Sequence, residues 1–177
     1  MRLASLDDPR IEALVSSSQV VFRLETRQHY QRPEELDALA SHRAGLLPPA
    51  EPQEAVAERL RLLQHSADRG ATVQRVHVVQ EPTSFYLEFR CLWEIPYSVA
   101  AGEDVRILAV PRRRWPRGIP RQDLWLCDTT LVHLDHAADG RLLGVDVLTS
   151  PALVANAQRV RDTAWAAAAP FADYLTT

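Results

Sequence analysis

Apolar residues recur at helical spacing through most of the first seventy residues. In the clearest segment Val56, Leu60 and Leu63 share one face of a helix, with charged residues on the opposite side. Proline and acidic residues favour helix starts, and glycine favours helix ends. The pattern therefore predicts three helices. The first begins at Asp7-Asp8-Pro9, and the second begins at Arg32-Pro33-Glu34-Glu35 and stops near Gly45. The third follows the linker 47–52 and ends at Gly70.

After Gly70 the period changes towards two, and β-branched residues become common. The predicted strands are Val73–Val79, Val105–Val110, Asp123–Cys127, Thr130–Asp135 and Leu142–Leu148. The turn Ala138-Asp139-Gly140 is typical of a hairpin between the last two strands. A long Ala-rich helix is then predicted from Ser150-Pro151 onwards, where Ser150 is the expected cap.

Two segments leave the type of secondary structure open. Gln19–Thr26 begins with β-branched residues and could form a short strand. Phe85, Phe89 and Leu92 fit one helix face, and Pro96 is expected to end that helix, but the apolar residues of this segment also fit a strand.

The order of these elements predicts one α+β domain over residues 1–177. Residues 1–70 form a mainly helical part, and residues 71–177 form a mixed sheet of about five strands flanked by helices. We find no internal repeat in the sequence. A chain of 177 residues is long enough to bury a core of its own.

Charge and cysteine content restrict the partners and the compartment. A formal net charge of −3 and a pI near 6.1 argue against direct nucleic-acid binding. No apolar run reaches the roughly 18 residues of a membrane span, and Met1–Arg10 has no apolar signal core. Cys91 and Cys127 lie among apolar residues, as buried free thiols do in a reducing cytosol. We therefore expect a cytoplasmic protein with no membrane partner.

All twenty basic residues are arginine, because the chain contains no lysine. This excludes a Schiff-base amine, a phosphate-binding P-loop lysine and a His-x-Lys dyad. We also find no Gly-x-Ser-x-Gly elbow, no Rossmann glycine fingerprint and no Cys-x-x-Cys pair in the sequence. These motifs would have indicated specific catalytic classes.

The segment Pro111–Arg121, which we call the arginine loop, is the strongest candidate binding site. It contains Arg112, Arg113, Arg114, Trp115, Arg117 and Arg121. Guanidinium groups bind phosphate with two parallel hydrogen bonds, and a tryptophan ring can stack on a flat ligand. A pocket where these arginines converge would need an anion or nearby carboxylates such as Asp123 and Asp128. The alternative is a solvated loop between strands.

Other polar residues are weaker candidates, for which packing, capping or ion pairing is the simpler explanation. Those included in the candidate ligand site are Arg23, Tyr30, Glu103, Arg106, Asp123 and Asp128. At least one of Asp123 and Asp128 is expected to bond backbone or an arginine, because they bracket a buried strand. His133, Asp135 and His136 do not share one strand face, so no metal site is predicted.

Part of the chain resembles one half of a phospholipase D-like domain. The segments that carry the resemblance are Gly70–Val76, Ala101–Arg106 and Asp123–Asp128. In that fold a strand carries the motif His-x-Lys, four further residues and Asp. The matching positions here are Arg121-Gln122-Asp123 and Asp128, so both dyad residues are absent, as is the downstream Gly-Ser segment. The resemblance implies this fold with a degenerate site.

A second resemblance covers most of the chain. Four segments look like an actinobacterial family of unknown function: Phe22–Thr26 with Tyr30, Ala101–Arg106, Asp123–Leu126, and Arg161–Trp165 with Pro170. Members of that family are often encoded beside helix-turn-helix regulators. The resemblance implies a regulatory or accessory role without naming catalytic residues.

Two classes of function follow. The first is a non-catalytic regulatory or accessory domain, without metal or cofactor, in a transcription-linked system. It would bind an anionic or phosphate-bearing ligand, a helix-turn-helix regulator or other protein, or a second copy of itself. The alternative is a divergent phosphoester hydrolase or biosynthetic enzyme that uses Asp, Glu or His in place of the dyad. The missing dyad favours the first.

Overall fold

The computed structural model describes residues 1–175, apart from the side chain of Ala55. Thr176 and Thr177, which the predicted domain includes, lie outside the described residues. Within residues 1–175 the strands are β1 (Arg2–Leu3), β2 (Val20–Glu25), β3 (Thr72–Glu81), β4 (Asp104–Pro111), β5 (Leu124–Cys127), β6 (Thr130–His136), β7 (Leu142–Leu148) and β8 (Ala169–Pro170).

The helices lie between these strands, singly or in pairs, except for the last, which follows β8. Strands β4 to β7 follow one another without a helix between them. They are α1 (Pro9–Ser17), α2 (Leu36–Arg43), α3 (Glu54–Asp68), α4 (Phe85–Trp93), α5 (Ile95–Ala100), α6 (Pro151–Ala167) and α7 (Phe171–Tyr174). A 3-10 turn, Pro33–Glu35, leads directly into α2.

All strands belong to one open mixed sheet with the order β1-β7-β6-β5-β2-β3-β4-β8. Strands β2, β3 and β4 are parallel, and each crossover between them contains two helices. The remaining pairs are antiparallel, including the hairpin of β6 and β7 that the turn at Gly140 predicts. The predicted mixed α+β class is thus confirmed, with eight strands within residues 1–175 rather than about five.

Strand β2 joins the two halves of the sheet, because it pairs with β3 on one side and with β5 on the other. It comes from the first seventy residues, so the sheet is not confined to residues 71–177. Two further strands, β1 and β8, are only two residues long, and such short segments have no periodicity to detect.

The two faces of the sheet differ in chemistry. One face packs against α6 through an apolar core that includes Phe22, Leu24, Val76 and Val78. Because side chains alternate along a strand, Arg23, Glu25, Arg75 and His77 point to the opposite face. That face is covered by α4, and its apolar part includes Val79, Phe89, Val105 and Ile107.

Local details confirm some predictions and correct others. The ambiguous segment is the helix α4, and Gln19–Thr26 contains β2. Pro96 does not end a helix but lies in the first turn of α5, where proline needs no amide hydrogen. Ser150 precedes α6, but its side chain makes no capping hydrogen bond.

The predicted thiols are found as expected, since Cys91 and Cys127 are buried and free. Burial raises the pKa of Cys91 to about 11 and that of Cys127 to about 12. In the part of the chain that the structure describes, no helix has the length and apolarity needed to cross a membrane.

The hairpin turn gives a test of the fold. Gly140 has φ +91°, and a Cβ there would lie 2.6 Å from the carbonyl oxygen of His29. Gly45 has φ +76°, but a Cβ there would meet nothing within 4 Å. Alanine at either position costs about 1–2 kcal/mol for its left-handed backbone. We expect Gly140→Ala to lower the free energy of unfolding by about 1 kcal/mol or more beyond Gly45→Ala. Urea denaturation measures both, and equal losses would contradict the predicted clash.

Candidate functional site

A group of charged side chains lies between the centre of the sheet and helix α4. We call it the buried charge network. Its members come from β2, β3, the turn before β4, the 3-10 turn and its flank, α3 and α4: Arg23, Glu25, Arg32, Glu35, Arg59, Arg75, His77, Arg90, Glu94 and Glu103. Buried charges are costly unless they are paired, so their partners decide what the network can do.

Arg75 is the centre of the network and is fully buried. Its NH1 lies 3.0 Å from Glu94 Oε2, and its NH2 lies 2.8 Å from Glu103 Oε2. The second contact is an ion pair without hydrogen-bond geometry. Burial opposes the charge on Arg75, but Glu103, Glu94 and Glu25 outweigh it and raise its pKa. Arg75 is therefore permanently charged and held by three carboxylates.

Helix α4 is tied to the sheet by Arg90 and Glu94, which lie one turn apart. Arg90 NH2 donates to Glu25 Oε2 at 2.8 Å and lies 3.0 Å from Glu94 Oε2. Burial alone would raise the pKa of Glu94, but Arg75, Arg90 and Arg59 together hold it well below its usual range. Burial is likewise outweighed at Glu25, where Arg90 and Arg75 keep the pKa low.

Arg23 and Glu103, both predicted site residues, pair with each other at the edge of this network. Arg23 Nε and NH2 donate to Glu103 Oε1 at 2.8 and 2.5 Å. Both side chains are almost fully buried. This pair ties β2 to the turn before β4, so its first role is structural.

His77 is fully buried beside Glu25. Its Nε2 lies 3.1 Å from the carbonyl oxygen of Arg27, which assigns the ring proton to Nε2. Burial lowers the pKa of His77, and the opposing effect of Glu25, 3.3 Å from Nδ1, does not outweigh it. The folded protein therefore holds a neutral imidazole there.

Tyr30 and Asp123, two further predicted site residues, contact each other after the end of β2 and before the start of β5. Asp123 Oδ2 accepts from Tyr30 Oη at 2.6 Å, and Oδ1 accepts from the amide and hydroxyl of Thr26 at 2.7 and 2.8 Å. Burial and the Asp123 charge raise the pKa of Tyr30 well above its usual value. Both oxygens of Asp123 are thus engaged in positioning the chain after β2.

The remaining predicted residues are dispersed. Asp128 is exposed, has φ 49° and accepts from the amides of Gln19 and Val20. This agrees with the expectation that one of the two aspartates bonds backbone. The guanidinium carbon of Arg106 lies 4.0 Å from the ring centroid of Trp165, towards α6. Neither residue contacts the buried charge network.

The arginine loop is exposed rather than convergent. All five arginines are exposed, and none forms an ion pair with a carboxylate in residues 1–175. Relief by an anion or by Asp123 and Asp128 is expected for arginines that converge on one pocket, and that condition does not arise for these exposed side chains. The two carboxylates bond backbone, Thr26 and Tyr30. Relief comes instead from solvent, which screens the separated charges.

The backbone of the loop is nevertheless anchored. Trp115 Nε1 donates to the carbonyl oxygen of Ile119 at 2.7 Å, and Ile119 is buried in the core against α6. Arg121 lies over the Trp115 ring at 4.5 Å. The arginines therefore extend from a fixed platform, but one face of the predicted stacking ring is already covered.

Sequence reasoning missed most of the network. Arg75 and His77 alternate with valines at the centre of β3, and Arg90 and Glu94 are spaced i, i+4 at the end of the largely apolar helix α4, where Glu94 is the residue that follows the last turn. The available signal was the presence of charged residues at positions where the pattern expects core residues. Charged side chains are almost never buried unless they are paired, so these positions indicated buried ion pairs. Which carboxylate pairs with which arginine depends on tertiary contacts.

Fold and network together define an α+β domain with one open mixed sheet and an ion-paired centre. A family model described as a domain of unknown function (DUF6879) matches residues 10–176. The chain therefore belongs to the DUF6879 family. A comparison with curated proteins finds no match.

The buried imidazole predicts a dependence of stability on pH. Because the pKa of His77 is lower in the folded state, the folded protein binds fewer protons than the unfolded chain. The free energy of unfolding should fall as pH drops below the unfolded pKa of about 6.5, by at most about 1.4 kcal/mol per pH unit for this residue. His77→Gln keeps a donor for Arg27, and it should show a smaller slope.

Chemical denaturation of both proteins between about pH 7.5 and pH 5.5 checks this window. The pKa of His136 is also lowered, by partial burial first, so some slope should remain in both. Identical slopes in the wild type and His77→Gln would contradict a neutral His77 in the folded state.

Proposed function

We propose that this protein is a non-catalytic regulatory or accessory domain whose arginine loop binds an acidic surface of a partner protein. The observation that carries the proposal is five exposed arginines without ion pairs in residues 1–175, on an anchored loop. Inside the same molecule every network arginine contacts a carboxylate. Exposed arginines such as Arg43, Arg141 and Arg159 also lack ion pairs within residues 1–175, so the concentration of five in the loop 111–121 is what supports a binding role.

Charge distribution supports an acidic partner. The loop carries five positive charges, whereas the rest of the chain has 15 basic and 23 acidic residues and a net charge of −8. A local field of this kind steers oppositely charged partners and adds to the rate of association. Guanidinium groups pair with carboxylates through two parallel hydrogen bonds, which favours arginine at such an interface.

A protein surface fits better than a stacked nucleotide. Arg121 covers one face of Trp115, and the indole nitrogen is engaged by Ile119. A base would have to displace Arg121, whereas carboxylates could reach the exposed guanidinium groups without rearrangement. The resemblance to proteins encoded beside helix-turn-helix regulators makes such a regulator a candidate partner in a cytoplasmic, transcription-linked system.

The finer fold assignment, a degenerate phospholipase D-like half-domain, belongs to the same proposal. It is supported by parallel strands β2, β3 and β4 with helical crossovers, and by Asp123 and Asp128 at the two ends of β5. Both carboxylates bond neighbouring amides, and a nucleophile or base would need to be free. This supports a non-catalytic role.

Binding of poly-L-glutamate to the full chain tests the proposal. The triple variant Arg112→Gln, Arg113→Gln, Arg114→Gln should bind at least about tenfold more weakly, because each charge-assisted contact contributes roughly 1.5–3 kcal/mol. Affinity of the wild type should fall as salt rises. The matched control is Arg43→Gln, Arg141→Gln, Arg159→Gln, which removes the same charge at other exposed positions.

Equal weakening in the loop and control variants would show that only net charge matters, and would overturn the assignment. A second arm uses inorganic polyphosphate. If it binds more tightly than poly-L-glutamate, and the loop variant loses that binding, the partner is phosphate-bearing rather than a carboxylate-rich protein.

A further inference from the structure

A small cavity lies beside the buried charge network, next to α4. The arginine loop packs through Ile119 into the core on the other face of the sheet, against α6. The volume of the cavity is about 40 Å³. On the same volume scale a single water molecule needs roughly 10–15 Å³, so the cavity has room for a small polar group. Three carboxylates and three aromatic rings line it: Glu34, Glu35, Glu94, Phe89, Trp93 and Tyr97. None of the residues that line it is cationic.

Glu35 is the member of this lining with an unmet bonding capacity. Its side chain is 5% exposed, and its Oε2 accepts from Tyr86 Oη at 2.6 Å. Its Oε1 is buried and has no hydrogen-bond donor among the described residues. The nearest guanidinium nitrogens, on Arg32 and Arg90, are 3.5 and 4.0 Å away. A buried acceptor of this kind favours a donor supplied from outside the chain.

Glu34 is paired loosely on this side, because its one ion-pair contact among the described residues is with Arg59 NH1 at 3.8 Å. A charge-assisted hydrogen bond is roughly 2.7–2.9 Å long, so a ligand nitrogen could approach Glu34 more closely than Arg59 does. Glu94 adds negative charge to the lining but is already engaged, since its Oε1 accepts from Arg75 NH1 and from Ser98 Oγ, both at 3.3 Å.

The cavity borders an open groove, because Pro52 and Tyr97 line both. The groove has a volume of about 340 Å³, and apolar residues such as Ala57, Leu60 and Ala100 line it. A molecule with a small polar head and an apolar body would fit the two spaces together.

We propose that the cavity binds the ammonium group of a small primary amine whose apolar body lies in the groove. The N–H groups of the ammonium supply the donor that Glu35 Oε1 lacks, and the aromatic rings stabilise the positive charge through their faces. A ligand with a carboxylate or phosphate group in the cavity would be repelled by the three carboxylates that line it. This site shares no residue with the arginine loop.

The test is an NMR titration of the ¹⁵N-labelled full chain near pH 7 with phenethylamine. Two probes with a similar body provide the comparison: 2-phenylethanol, which is neutral, and 3-phenylpropionate, which is anionic. We expect saturable shifts at the Trp93 indole and the α4–α5 amides with phenethylamine, and binding at least about tenfold weaker with the other two probes.

The variant Glu35→Gln retains an acceptor for Tyr86 and should weaken phenethylamine binding about tenfold or more. The matched control Glu58→Gln removes the same charge from an exposed position on α3 outside the lining, and should leave binding unchanged. Absence of amine binding, equal binding of 2-phenylethanol, or an unaltered affinity in Glu35→Gln would each overturn the proposal.

Discussion

The fold depends on the neutralisation of arginines that lie between the sheet and α4. Arg75 and Arg90 are fully buried, and each is held by carboxylates from different elements. Replacing such pairs with apolar residues often costs little, but leaving one charge unpaired costs several kcal/mol. The network therefore acts chiefly as a positional constraint, since a shifted α4 would leave Arg75 without Glu94.

This constraint separates arginines that hold the structure from arginines available to a partner. In the network, Arg23 and Arg75 share the carboxylate of Glu103. In the arginine loop, the guanidinium groups extend into solvent while Trp115 and Ile119 fix the backbone. Fixing the backbone in advance lowers the ordering cost of binding, which is a common route to affinity. The small cavity for which we propose amine binding lies beside Glu35, whose nearest guanidinium nitrogens are 3.5 and 4.0 Å away.

The sequence was sufficient for elements that have a strong period. The strands after Gly70, the hairpin at Gly140 and the three N-terminal helices follow from local patterns, and the structure contains them. The place of β2 in the middle of the sheet could not be predicted, because strand order depends on contacts between distant segments. The arginine loop was recognisable as a charged segment, and its exposure agrees with the solvated alternative that the sequence left open. The partners of Arg75 come from the end of α4, from β2 and from the turn before β4, which no local motif connects.

The most direct test of the central constraint is a double-mutant cycle on Arg23→Met and Glu103→Gln, measured as the free energy of unfolding in urea. Arg23→Met leaves Glu103 with Arg75 alone, and Glu103→Gln leaves Arg23 without a carboxylate, so each single change should cost about 3–5 kcal/mol. The double variant should lose less than the sum of the two, by about 2 kcal/mol or more. If the two losses are small and additive, the buried charges do not depend on one another, and the network does not hold the fold together.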